Sequence, residues 1–165
     1  MVLNSTGEME VRNALNTPEP DTRGIKSIFG RLHYIEEHLH STSRTAPELA
    51  DALVLTAGSG AWSATGAITE IIASATITDR YDVHFVNLSA FSANGEYEIQ
   101  LFEGSAGSEV QIASIPATRN AVQSQEGSQP TLTPKIDANE RLSARVASGN
   151  VAADTLALKV VYHTY

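Results

Sequence analysis

From residue 50 onward, apolar side chains recur at every second position in short runs, and that period of two restricts the segment to β-strands with one buried face. Leu53 and Leu55 begin the pattern, and Ile68, Ile71 and Ile72 continue it beyond a Gly-rich stretch from Gly58 to Gly66. Tyr97, Ile99 and Leu101 point one way while Glu96, Glu98 and Gln100 point the other. Leu142, Ala144 and Val146 alternate in the same manner with Arg141, Ser143 and Arg145. Leu156, Leu158, Val160 and Tyr162 share one face of a further strand. Tyr81 to Leu88 is apolar on both faces, the pattern of a central, covered strand. Asn94-Gly95 predicts a hairpin, because a type I′ turn needs positive φ at both central residues. Residues 118–135 are polar and contain Pro130 and Pro134, which makes them either a long loop or an edge excursion. About seven or eight turn-bounded strands predict a mainly β fold, an antiparallel β-sandwich of jelly-roll type spanning 50–165.

Upstream the period changes to that of a helix. Ile25, Ile28, Leu32, Ile35 and Leu39 recur at alternating steps of three and four, forming one apolar stripe over a helix of roughly residues 23–41, or 23–43 with its closing residues. With Ile25 at heptad position a, the a sites are Ile25, Leu32 and Leu39, and the d sites are Ile28 and Ile35. β-branched residues at d disfavour parallel dimers, and Leu at a with Ile at d favours trimers or tetramers. Arg31 then falls at g and Glu36 at the following e, the pair that meets between neighbouring helices of a parallel bundle. Gly24 and Gly30 each cost about 1 kcal/mol relative to Ala, so this helix needs a partner surface. A helix lying across the sandwich would carry a similar stripe, and Phe29 at e widens it; the narrow a/d seam favours self-association. Residues 1–22, with little apolar content and with Pro18 and Pro20, predict a flexible arm. Ser41 to Ser43 and Pro47 predict a short linker after the helix.

Composition narrows the function. Eleven basic against nineteen acidic residues give a net charge of −8, which argues against nucleic acid as a partner. No apolar run approaches the roughly 20 residues of a membrane-spanning helix, and the first residues show no signal-peptide pattern. Cysteine is absent, which excludes disulfides, thiolate metal sites and cysteine nucleophiles.

Several side chains invite a chemical reading. His33 and His40 share heptad position b two turns apart while His38 lies at g, so no i, i+4 pair exists to hold an ion, and the expected metal and cofactor complement is none. Glu96 and Glu98 share a strand face about 7 Å apart, a spacing that glycosidase carboxylates use; a solvated or salt-bridged face is the commoner arrangement. Gly58-Ser59-Gly60 lacks the strand-turn-helix context of a nucleophile elbow, and the Gly-rich stretch lacks the lysine of a phosphate loop. Trp62, the single tryptophan, suits an anchor or a subunit contact better than a sugar platform. No catalytic residue is expected.

Four segments carry a resemblance: NGEYEIQLFEG (94–104), GSEVQIASI (107–115), IDANERLSARVASG (136–149) and ADTLALKVVYHTY (153–165). Together they resemble a class of tailed-bacteriophage accessory virion proteins, the capsid decoration or cement proteins and the fibre or adaptor subunits. The resemblance implies a β-sandwich that binds the phage major capsid protein or another virion protein, with no enzymatic residues to carry over. The expected function is a structural virion protein that decorates and stabilises the assembled capsid as a homo-oligomer, most simply a trimer. A neck or tail-fibre adaptor and a carbohydrate-binding module are the alternatives. The expected location is the virion, following synthesis in the host cytoplasm.

Overall fold

The computed structural model describes residues 42–47, 52–62, 65–120 and 126–165. The expected arm at 1–22 and most of the heptad helix lie outside the described residues. Among the described residues there are nine β-strands and no helix: β1 Thr42–Ala46, β2 Leu53–Thr56, β3 Thr69–Ile72, β4 Tyr81–Ser89, β5 Gly95–Glu103, β6 Val110–Arg119, β7 Gly127–Pro130, β8 Leu142–Ser148 and β9 Thr155–Thr164. They form a β-sandwich of two sheets, all of whose described strand pairs are antiparallel. One sheet runs β1-β9-β4-β7 with β2 also on β9, and the other runs β3-β8-β5-β6. From β2 onward the chain changes sheet at every connection except the β5–β6 hairpin.

The expected alternation places the core. Tyr97, Ile99 and Leu101 of β5, Leu142, Ala144 and Val146 of β8, and Leu156, Leu158 and Val160 of β9 are all buried in one cluster. Burying a side chain such as Leu101 removes it from water and contributes about 1.5–3 kcal/mol. Phe91 meets Tyr97 edge-on at 4.9 Å, and Tyr81 meets Tyr162 edge-on at 5.8 Å, the preferred aromatic geometry. Of the polar stretch, Thr118 and Arg119 end β6, and Gly127–Pro130 form β7 at the rim of its sheet, where Pro130 lies opposite Phe85.

Three expectations are corrected. The proposed linker at 41–47 contains β1, which pairs Thr42 with Thr164 and Ala46 with Val160. β2 continues along the same side of β9, Leu53 opposite Leu158, so β1 and β2 are two pieces of one edge strand. The segment TSRTA has no apolar alternation to announce it; the register of β9 recruits it.

Second, β4 is central, yet its apolar character on both faces has another cause. A β-bulge makes His84 an extra residue, because Val83 faces Tyr162 while Phe85 already faces Val161. The inward set therefore shifts from Tyr81 and Val83 to Val86 and Leu88, and Phe85 is left 40% exposed.

Third, Asn94-Gly95 does not close a hairpin. β4 and β5 belong to different sheets, and Asn94 does not adopt positive φ. The Asn94 carbonyl instead accepts a hydrogen bond from Asn150 Nδ2 at 2.9 Å, which pins the crossing between sheets.

Candidate functional site

Every residue expected in the oligomerisation seam (Ile25, Ile28, Leu32, Ile35, Leu39, Arg31 and Glu36) lies outside the described residues, as do His33, His38 and His40. The remaining sequence candidates fall on the sandwich. Glu98 accepts hydrogen bonds from Gln100 Nε2 at 3.0 Å and Ser114 Oγ at 2.6 Å. These donors, Gln100 foremost, hold its carboxyl below the usual carboxylate range. A carboxylate kept ionised in this way is an acceptor in a polar strand face, continued by Arg145, whose Nε donates to Gln100 Oε1 at 2.7 Å.

Trp62 is 47% exposed, and its indole lies on Gly149. A Cβ added at Gly149 would stand 3.2 Å from Cζ2 and 3.3 Å from Cε2 of the ring, so glycine is what lets the ring lie down. The Trp62 amide donates to the Ser148 carbonyl at 2.9 Å. Beside it, buried Asp154 accepts from Ser148 Oγ at 2.9 Å and Asn150 Nδ2 at 2.6 Å. Trp62 thus anchors its loop to the β8–β9 turn, while its outer edge remains open to solvent.

Among the described residues, a further gathering of chemically versatile side chains lies across β1, β4 and β9. Ser43, His163 and Asp82 occupy one cross-strand row: Ser43 pairs with His163, and His163 with Asp82. His84, the bulge residue, is also drawn to this row, and its ring stacks on that of His163 at 3.8 Å between centroids. Its Nε2 lies 2.9 Å from Asp82 Oδ1. His163 Nε2 and Ser43 Oγ are hydrogen-bonded at 2.6 Å. Asp82 Oδ1, His84 Nε2 and His163 Nδ1 are all withdrawn from solvent. One ligand-capable atom from each of Asp82, His84 and His163 lies within 4.8 Å of the other two.

Sequence reasoning missed this group, having weighed only the upstream histidines. The available signal was Asp82-x-His84, two polar residues on one face of an otherwise apolar strand; only the β4–β9 register adds His163.

A third feature is a shallow groove of about 360 Å³ at the sandwich edge, where Ile112 and Ile115 of β6 approach Pro130 and Leu132 after β7. Leu132 is 79% exposed there.

No protein-family model matches this sequence, and no curated protein matches it. Solved structures similar to it in backbone include two from different sources. One is a structure of Bacillus endospore appendages, described as a family of disulfide-linked pili; it is 14% identical, covers 76% of this chain and 89% of its own, and has a TM-score of 0.41. The other is Eiger TNF from S. frugiperda, 9% identical over 76% of this chain and 92% of its own, with a TM-score of 0.42.

Proposed function

We propose that this chain is a structural protein of a tailed-phage particle, decorating and stabilising the assembled capsid through repeated protein–protein contacts. The observation that carries the reading is the arrangement of the four segments that resemble accessory virion proteins. They supply β5, the start of β6, β8 and β9, which include the central strands of one sheet and the most extensively paired strand of the other. The strand order β2-β9-β4-β7 over β3-β8-β5-β6 supports a jelly-roll arrangement, an architecture used by viral capsid domains and lectins. Upstream, the Ile/Leu heptad supports several copies held together, most simply three.

In this reading the work is mechanical. A protein that binds only the assembled particle stabilises it by RT ln(1 + [L]/Kd), about 2.7 kcal/mol per site at a hundredfold excess over Kd. Linked copies gain avidity without any new contact when their geometry matches the lattice of sites. Particles lacking the protein are expected to lose DNA at lower temperature or lower ionic strength, and adding back the purified protein is expected to restore them. Unchanged particle stability, with the protein found only at the tail, would favour a neck or fibre adaptor. The lectin-like alternative rests on the half-exposed Trp62: glycan binding that disappears in Trp62→Ala would replace the capsid reading.

A further inference from the structure

We propose that Asp82, His84 and His163 form a binding site for a divalent transition-metal ion of the zinc type, held on the outer side of the β1-β9-β4 sheet. Two imidazoles and one carboxylate are a common donor set for such ions, with a fourth position left to water. It is unlike the all-oxygen shell of six to eight ligands that calcium requires. Tetrahedral zinc with bonds of about 2.0–2.1 Å spaces its ligand atoms about 3.4 Å apart. The three atoms within 4.8 Å of one another need only small side-chain rotations to close on an ion.

The surroundings favour that closure. The site is assembled by backbone register rather than by a loop: Asp82 is the direct cross-strand partner of His163, and the bulge brings His84 onto the same ring. Ser43 Oγ is hydrogen-bonded to Nε2 of His163 and can accept its proton there; in that tautomer Nδ1, the buried nitrogen, carries the lone pair a metal needs. Two neutral imidazoles and an ionised Asp82 would carry one negative charge, which a dication more than balances. Because the ligands come from β4 and β9, the ion would bridge the two interior strands of the sheet, with Ser43 of edge strand β1 hydrogen-bonded behind His163.

The test uses the full, tag-free chain with Zn²⁺ and Co²⁺ as probes, and Mg²⁺ as a hard-ion control. At a hundredfold excess over Kd, Zn²⁺ is expected to raise Tm by about 5–10 °C, and Mg²⁺ to leave it unchanged. Co²⁺ is expected to give the visible absorption of a four-coordinate site at one ion per chain. His84→Ala and His163→Ala should abolish both responses, and Asp82→Asn, which keeps the side-chain shape, should weaken them. Ser43→Ala is expected to weaken binding by about 10- to 100-fold through the orientation of His163. Replacing His33, His38 and His40 together by Ala should leave the site intact. Absence of any Zn²⁺ shift or Co²⁺ spectrum would overturn the proposal. So would a response that survives loss of both His84 and His163, or one that vanishes with the three upstream histidines. If an alanine variant does not fold, Ser43→Ala and Asp82→Asn decide: undiminished Co²⁺ binding in both refutes the assignment.

Discussion

Gly66 shows how closely the backbone packs where β2 gives way to the next strand. A Cβ built on it would sit 1.8 Å from the Thr56 carbonyl oxygen, and its amide donates to the Val146 carbonyl at 2.8 Å. Gly66→Ala is therefore expected to force backbone apart and cost about 1–3 kcal/mol or more, read as a lower midpoint in urea. Leu101→Ala should cost about 2–5 kcal/mol by leaving a cavity, whereas Leu132→Ala, at 79% exposure, should change little. Two carboxylates should respond to pH with opposite signs. Glu98 has its pKa lowered by Gln100 and Ser114, so its contribution is complete above about pH 4.5 and fades as pH falls through its lower folded value. Glu103 has its pKa raised, by burial first and then by Glu140 and Asp137, so ionising it opposes folding at neutral pH. Glu103→Gln should stabilise at pH 7 by no more than about 0.5 kcal/mol, with the gain fading in acid; a loss of stability at pH 7 would contradict this account.

At the scale of elements, β9 organises its sheet, pairing with β1, β2 and β4, while β7 holds only β4. Removing residues 158–165 is expected to unfold the sandwich, since it deletes core side chains and the shared ladder partner. Native-state hydrogen exchange should find β4, β8 and β9 slowest and the amides of β7 fastest among the strands; equal protection of β7 and β9 would contradict this topology. What could be read in advance follows from the same physics. The predicted inward sets of β5, β8 and β9 are all buried, and the alternation is plain in β5 and β9; β8 is covered on both sides, so Arg141 and Ser143, expected to face outward, are buried as well. β4 misled because a bulge shifts the phase midway, giving the strand apolar residues in both alternation sets. β1 gave no signal because a short polar segment becomes a strand only when a partner's open edge accepts it. Asn94-Gly95 carried a true turn preference, but the packing of two sheets used the turn to cross between them. The Asp82, His84 and His163 group was illegible for a related reason: register, not spacing, brings His163 to β4.

At the scale of the whole molecule, the proposed capsid role requires that the chain act as several linked copies. The heptad seam is short, so a bundle needs further contacts between the sandwiches; exposed Leu132 and Phe85 and the edge groove offer apolar surface for them. Ile28→Asp with Ile35→Asp is expected to shift assembly toward monomer, because each aspartate must bury its charge among apolar side chains or neutralise it at a cost. The fold of 42–164 should persist in that variant, with its core strands unchanged. The most direct measurement is the mass of the purified full chain by light scattering at tens of micromolar. The expected mass is about 53 kDa, three times the 17.6 kDa chain, falling in the double aspartate variant; a single species at 17.6 kDa would contradict the proposed trimer.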